Sequence, residues 1–263
     1  MELDRNAMLK QFSEPDEKLL FSKAMNQAYL CMKNNIPCFT DFFDPLRFSR
    51  FSGALAGFKK HLDVEGFGGF PDAERRMLGF FPKEGFDETV FPIGAVVISF
   101  EKKFGSPAHR DILGSVLGLG LDRRVLGDVL PCDGFFIAYA ETQMAVYIAA
   151  NLEKAGRISV RCEQKEITGI PKVQEKKLEK SITVASMRLD GIIAESFNLS
   201  RNEASELIKK EKVFLNWVVA SSNAKTVNCS DIVTVRHLGR VKILDISGQT
   251  KKGRMALKIE LYK

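Results

Sequence analysis

Arg188-Leu189-Asp190, then Ser200-Arg201-Asn202-Glu203-Ala204, then Val213-Phe214-Leu215-Asn216 form the stretch that decides how the last third of this chain folds. Each of the first two segments opens a short amphipathic helix. Ser200 and Glu203 have capping-box spacing, in which hydroxyl and carboxylate satisfy orphan amides at the helix start. At about 100° per residue, Ala204, Leu207 and Ile208 share one face, while Arg201, Ser205, Lys209 and Lys212 fall on a neighbouring arc. One face packs, and the other is left to meet phosphate.

Short β-rich runs follow at 213–216, 231–236 and 240–244, with Gly239-Arg240 at a tight turn. This order resembles the S4 RNA-binding domain, a two-helix module. The resemblance covers 181 to about 245 and rests on Arg188, Leu189, Asp190, Ser200, Arg201, Ala204, Leu207, Ile208, Val213, Asn216, Asp231, Val235, Arg236, Gly239 and Arg240. Two residues depart from the pattern. Glu211 stands where a glycine usually precedes the first strand, and Trp217 stands where Asn-Gly would form the turn, so both turns are expected to differ from the common form.

Charge points the same way. The chain of 263 residues has a net charge of +6. Residues 181–263 hold 14 Lys and Arg against 8 Asp and Glu, whereas the first 180 hold 25 of each. The whole excess therefore sits with the S4-like segment, the electrostatic footprint of a nucleic-acid binder. The bland alternative is a solvated surface that serves solubility; the helix pair favours RNA.

Length suits two or three domains, and 45% hydrophobic residues suffice for real cores. No run approaches the roughly 18 apolar residues of a membrane span, and Met1-Glu2-Leu3-Asp4 reads as neither signal nor transit peptide, so a cytoplasmic protein is expected. Five cysteines (Cys31, Cys38, Cys132, Cys162, Cys229) never fall in C-x-x-C spacing, which argues against a disulfide framework and a zinc site.

Residues 1 to about 60 carry helical apolar spacing (Leu9, Phe12; Leu19, Leu20, Ala24, Ala28), broken at Ile36-Pro37 and Asp44-Pro45. Phe39, Phe42, Phe43, Phe48, Phe51 and Phe58 crowd one stretch and read as the core of a small helical region in preference to base-stacking groups. Gly66-Phe67-Gly68-Gly69-Phe70-Pro71 marks a turn or domain joint. Ile93–Phe100 is a buried strand, Ser106-Pro107 starts a helix through Leu117, 124–130 pairs with 134–140, 141–155 is helical, and 157–162 closes the sheet. That order is the split βαβ, ferredoxin-like arrangement also used by RNA-recognition modules. Phe135, Ile137 and Tyr139 alternate onto one sheet face and could stack on bases, but the aromatic-glycine signature is incomplete, so core packing is preferred. The polar stretch 164–180, with Pro171 and Glu175-Lys176-Lys177-Leu178-Glu179-Lys180, reads as a connector that ends in a strand.

Catalytic motifs fail on inspection. His109-Arg110-Asp111 has the letters of a kinase catalytic loop, but Val116 stands where that loop needs asparagine. Gly118-Leu119-Gly120 lacks its third glycine, because position 123 is Arg123. A pseudouridine synthase remains as the alternative: one family of those enzymes joins an S4 domain to an aspartate in an Arg-Leu-Asp-like context, for which Asp122 and Asp190 are the candidates. Asp190 has a structural reason at a helix start. His61, His109 and His237 have no metal-ligand spacing. No cofactor or metal is expected.

Gly68-Gly69-Phe70-Pro71-Asp72-Ala73-Glu74-Arg75-Arg76, His109-Arg110-Asp111-Ile112-Leu113-Gly114 running into Gly118-Leu119-Gly120, Leu126-Gly127-Asp128 and the S4 segment together resemble the YlmH family of bacterial proteins over nearly the full chain. The resemblance implies a non-enzymatic RNA-binding protein that works with the ribosome, on the large subunit around ribosomal RNA and tRNA, as in rescue of obstructed subunits that still hold peptidyl-tRNA. The fold expected is α+β: a helical region at 1–75, a ferredoxin-like domain at 76–165, a connector at 166–180 and an S4 domain at 181–263. Expected RNA contacts are Arg188, Ser200, Arg201, Lys209, Lys210, Lys212, Asn216, Arg236, Arg240 and Lys242, with Arg236 and Arg240 on a strand edge; Asn216 could equally hold its turn. Arg75, Arg76, His109, Arg110, Arg123 and Arg124 are candidates for a second set. A monomer is expected.

Overall fold

The computed structural model describes residues 5–71, 73–170, 177–236, 238–250 and 253–262. The expectations for Met1-Glu2-Leu3-Asp4, Asp72, His237 and residues 171–176 of the connector lie outside the described residues. The chain is α+β and divides into two compact units, 1–173 and 174–263.

In the first unit, α1 (Arg5–Leu9) precedes the long α2 (Pro15–Asn34), whose Pro15 pre-sets the opening turn and whose Asp16 and Glu17 complement the helix dipole. Leu20, Phe21, Ala24, Met25, Ala28 and Cys31 recur at helical spacing and are buried. After the two-residue strand β1 (Cys38–Phe39), Asp44 caps α3 (Pro45–Ala54) by accepting from the Arg47 amide at 3.0 Å. Phe12, Phe21, Phe43, Phe51 and Phe58 then form one core, with Phe12 and Phe21 centroids 4.5 Å apart. Each buried ring contributes roughly 1.5–3 kcal/mol. The phenylalanine-rich stretch packs inward, but it divides: Phe43, Phe51 and Phe58 join this helical core, whereas Phe42 and Phe39 join the core beneath the central sheet.

The strands β2 (Leu62–Phe67) and β3 (Met77–Pro82) pair antiparallel, and β3 also pairs with β1. Residues 68–71 are the turn between β2 and β3, so this sheet draws strands from both sides of residue 75.

Next come β4 (Ile93–Phe100), α4 (His109–Gly118), β5 (Leu126–Pro131), β6 (Phe135–Glu141), α5 (Thr142–Asn151), β7 (Lys154–Ala155) and β8 (Ile158–Glu166). The antiparallel order β5-β6-β4-β8-β7 is the ferredoxin-like arrangement with a short edge strand added. Two expected boundaries shift. The helix expected from Ser106-Pro107 begins with Ala108 as its N-cap residue, because the Asp111 carboxylate accepts from the Ala108 amide at 2.9 Å. The helix expected over 141–155 stops at Asn151, and Lys154–Ala155 turns into the edge strand that pairs with Ile158 and Ser159.

Both faces of this sheet are covered. Ile112, Val116, Ala145 and Ile148 from α4 and α5 pack on one face. On the other, Ile137 and Tyr139 are buried against Phe42, Met77, Phe81 and Phe91 from the preceding region. Gly69, at φ +99°, lets the turn backbone approach the Tyr139 ring so closely that a Cβ there would sit 2.4 Å from it. Phe70 lies 5.0 Å from the same ring. The face that RNA-recognition modules use for base stacking is thus filled by this chain itself.

The second unit starts with β9 (Lys177–Val184), so the connector does end in a strand. Helices α6 (Leu189–Phe197) and α7 (Arg201–Lys209) follow, then β10 (Val213–Leu215), β11 (Val218–Val219), β12 (Ile232–Val235), β13 (Gly239–Gln249) and β14 (Met255–Tyr262). The sheet order is β11-β10-β12-β13-β14-β9, antiparallel throughout. Leu189, Ile192, Ile193, Ala204 and Ile208 bury the helix pair against Val213, Val233, Val241, Ile243 and Ile259.

Both departures from the S4 pattern keep the usual backbone. Glu211 sits at φ 54°, donating its amide to the Ile208 carbonyl while the Lys212 amide reaches that of Leu207, each at 3.0 Å. That pair of bonds is the Schellman motif, with glutamate in the left-handed position glycine normally takes. Glu211→Gly is therefore expected to raise stability by about 1 kcal/mol in chemical denaturation; an unchanged or lower midpoint contradicts it. Asn216 and Trp217, at φ 49° and 65°, form a two-residue hairpin turn of the primed type. Trp217 holds it without glycine.

Candidate nucleic-acid interface

The helix pair is fixed by capping at both starts. The Ser200 amide donates to Glu203 Oε2 at 2.7 Å and the Glu203 amide to Ser200 Oγ at 3.2 Å, which closes the expected capping box. At α6, whose preceding residue Arg188 offers no acceptor, the first amides find backbone carbonyls instead. Leu189 donates to Lys225 at 2.9 Å and Asp190 to Asn223 at 3.2 Å. The loop before β12 thereby pins the first helix, and the bridge between Arg188 and Thr226 continues that contact.

Arg188 grips Asp190 with two bonds, Nε to Oδ1 at 3.1 Å and Nη2 to Oδ2 at 2.9 Å. The bond from Arg188 holds the Asp190 carboxyl below the usual carboxylate range, and the charge of Arg201 adds to it. Arg201 is exposed and lies against the α6 backbone, where a Cβ at Gly191 would come within 3.4 Å of its Nη2. Two guanidinium groups therefore flank one buried carboxylate at the helix starts.

At the far end of α7, Lys209 and Lys210 are exposed and Lys212 is half-buried. Lys209 reaches Glu206 at 3.0 Å, but both side chains are more than half exposed, so the pair is weak and readily exchanged for a phosphate. The Arg236 amide donates to the Lys212 carbonyl at 2.9 Å, which brings the exposed Arg236 guanidinium to this rim, 5.1 Å over the Phe214 ring. Among the described residues Arg201, Lys210, Lys212 and Arg236 make no ion pair.

Other expected contacts are placed differently. Ser200 is occupied as a cap. The Asn216 side chain donates to Asp231 at 2.7 Å and accepts from the Ile232 amide at 2.9 Å, so it holds the hairpin turn. Arg240 does not lie on a strand edge as expected. It sits on β13, between β12 and β14, on the sheet face away from the helices, 5.7 Å from the Tyr262 ring, and burial lowers its pKa. Lys242 shares that outer face and stands opposite Glu260. The candidate surface is therefore the helix layer with the Lys212 and Arg236 rim, without Arg240 and Lys242.

The second expected set largely dissolves into internal bonding. Arg75 donates to the carbonyls of Leu126, Arg123 and Phe42 at 2.9, 3.0 and 3.2 Å, and Arg123 to those of Leu126 and Gly127 at 2.8 and 3.0 Å. Burial lowers the pKa of both, that of Arg123 to about 10. Between them lies Asp128, which accepts from the amides of Glu74 at 2.7 Å and Arg75 at 3.3 Å. Burial pushes its carboxyl up to about 6 against the pull of both arginines. Arg75 and Arg123 are structural cations that tie β5 to the turn before β3, and they leave the RNA-contact set. Arg76 packs 4.7 Å over Phe48 with its Nε buried. His109 Nε2 lies 3.0 Å from the Val129 carbonyl, which places a proton on that nitrogen. Arg124 is bonded to Asp122, whereas Arg110, 88% exposed, makes only a loose ion pair with Asp111 at 3.8 Å.

Asp122, the candidate of the enzyme alternative, caps the turn at 123–125 and takes bonds from the Arg124 amide and guanidinium, which lower its pKa to about 2. Among the described residues no group of three His, Cys, Asp or Glu could hold a metal, and no helix is long and apolar enough to cross a membrane.

Sequence reading missed Arg254. It donates through Nη2 to the Thr183 carbonyl at 2.6 Å and Glu195 Oε1 at 2.7 Å, so it clamps β9 to α6. It follows the S4-like segment in sequence, where no motif marks it.

Comparison with known proteins adds three findings. Residues 87–169 match a family model described as "Putative RNA-binding domain in YlmH", and 187–233 match the S4 domain. A protein of Bacillus subtilis (strain 168), "Ribosome-associated protein quality control protein P2", is 28% identical over 256 residues, spanning 96% of this chain and 98% of that protein. The solved "Cell division protein ylmH from Streptococcus pneumoniae" is 23% identical, covers 62% of this chain and 98% of its own, and superposes with a TM-score of 0.49.

Proposed function

We propose that this chain, which belongs to the YlmH family of S4-domain proteins, is a non-enzymatic RNA-binding protein that docks on ribosomal RNA through the helix layer of its second unit. The single observation that carries the reading is the run of cations from Arg188 and Arg201 along α7 to Lys209, Lys210, Lys212 and Arg236, four of them without an ion pair among the described residues. Their spacing follows one short helix, about 13 Å long at 1.5 Å per residue, a scale that matches successive phosphates.

The name of the Bacillus subtilis relative supports the ribosome as the setting and quality control as the task. In this reading the protein acts in the cytoplasm as a monomer on the large subunit, where ribosomal RNA and tRNA lie together, and serves subunits obstructed by a retained peptidyl-tRNA. Arg110 supplies a weaker second contact, and two such contacts on one chain reinforce each other through effective concentration.

Counterion release gives the test. Each neutralised phosphate adds roughly 0.7–0.9 to the slope of log K against log salt. Titrating the full chain onto purified ribosomal particles from low to moderate salt should give a slope of about 3 to 5. Salt-independent association, or association that survives ribonuclease, points to a protein partner and overturns the proposal. The enzyme alternative predicts uridine isomerisation that Asp122→Asn abolishes.

A further inference from the structure

A groove of about 510 Å³ opens beside this basic face, between α6 and the end of β9. Its size falls in the range of sites that take one small organic group, roughly 300–1,000 Å³. The floor is made of small residues, Ala185, Gly191 and Ala194, and the rim carries Arg201 on one side and Arg254 with Glu195 on the other. Nothing assigned to an S4 segment accounts for it, since Arg254, the residue just before β14, lies outside residues 187–233.

Three features select the occupant. Arg201 is exposed and makes no ion pair among the described residues, so it has donors to offer an anion at the groove mouth. Gly191 and Ala194 put nothing larger than a methyl group into the groove, which leaves room for a flat ring beside the Arg201 guanidinium; a larger residue at 191 would crowd that guanidinium. Glu195, held by Arg254 at 2.7 Å, and Asn198, whose Oδ1 accepts from Lys180 Nζ at 3.3 Å, present polar atoms at the edge. A phosphate at one end, an apolar bed, and hydrogen-bonding groups at the other describe a nucleotide.

We propose that this groove receives one unpaired nucleotide of the bound RNA, with its phosphate on Arg201 and its base edge toward Glu195 and Asn198. The inference rests on the RNA-binding reading and deepens it. Helical RNA gives the face affinity, and the extruded base gives it a preferred position, because single-stranded and bulged nucleotides expose the edges that proteins can read.

The test uses the full chain and two synthetic RNA duplexes that differ by one bulged nucleotide, with affinities measured by fluorescence anisotropy at fixed salt. The wild type is expected to bind the bulged RNA about tenfold tighter, the yield of one held base. Ala194→Met, which fills the groove, should abolish that preference while leaving affinity for the plain duplex intact. Arg254→Gln is the second variant, should the first fail to fold, and is expected to weaken the preference. Equal affinity of the wild type for the two RNAs overturns the groove proposal and leaves the RNA reading standing. Failure to bind either RNA or ribosomal particles overturns both.

Discussion

The double variant Arg201→Glu/Lys209→Glu is expected to bind ribosomal particles about 100-fold more weakly than the wild type at 0.1 M salt, with its fold intact. At that concentration one phosphate contact contributes about one decade of affinity through counterion release, so losing two removes about two, before any repulsion is added. Neither side chain is buried: Arg201 is exposed, and Lys209 gives up only a solvated pair with Glu206. Stability should therefore change little. Because Arg201 also helps hold Asp190 ionised, the milder Arg201→Gln/Lys209→Gln is the companion, expected to lose nearly as much binding. A folded double variant that co-sediments like the wild type excludes α7 as the docking face.

Asp128→Ala is expected to destabilise the first unit by about 3–5 kcal/mol, the largest stability effect of any substitution considered. The carboxylate lies between the partly buried guanidinium groups of Arg75 and Arg123 and accepts two backbone amides. Removing it leaves the Glu74 and Arg75 amides without their acceptor in a buried setting and takes away the carboxylate nearest two partly buried cations, both costly. Its pH dependence has a definite sign. Burial raises the folded carboxyl to about 6, above its ordinary 3.8, so the folded state holds this proton more tightly than the unfolded chain does. The contribution is complete below about pH 4 and is lost as pH rises through 6. The stability of the wild type relative to Asp128→Asn should fall by up to about 3 kcal/mol between pH 4 and 7, read from denaturation midpoints at each pH. A difference that grows with pH over that window contradicts the placement.

Much of the second unit was legible in the sequence because its determinants are local. The Ser200 and Glu203 pair fixes a helix start within four residues, the Ala204, Leu207 and Ile208 face fixes which side packs, and both were found as expected. The βαββαβ order of the central region was legible for the same reason: alternation and helical spacing report each element on its own. What those patterns do not report is which sheet face another part of the chain will cover. Tyr139 reads alike whether it meets a base or Phe70, and only the turn at Gly69 and the approach of Phe42 decide.

The same limit explains the arginines. Arg75 looks like a surface cation because its partners, the carbonyls at 42, 123 and 126, are brought to it only by folding, and Arg123 does so because the neighbouring carbonyls at 126 and 127 that it binds carry no mark in the sequence. Arg240 was placed on an edge because the S4-like segment ends near 245, and the strand that makes β13 an interior strand, β14, lies beyond it. Arg254 escaped for that reason too. Conversely, the departure at Glu211 was visible in sequence, but its outcome was not: the backbone keeps the left-handed position and accepts the strain.

Ultraviolet crosslinking of the full chain to RNA in living cells, followed by identification of the modified peptides and the attached RNA, tests the central claim most directly. Adducts on peptides spanning 188–212 and around Arg236, joined to ribosomal RNA, are the predicted result. Adducts confined to the first unit, or joined to RNAs other than those of the ribosome and tRNA, would contradict it.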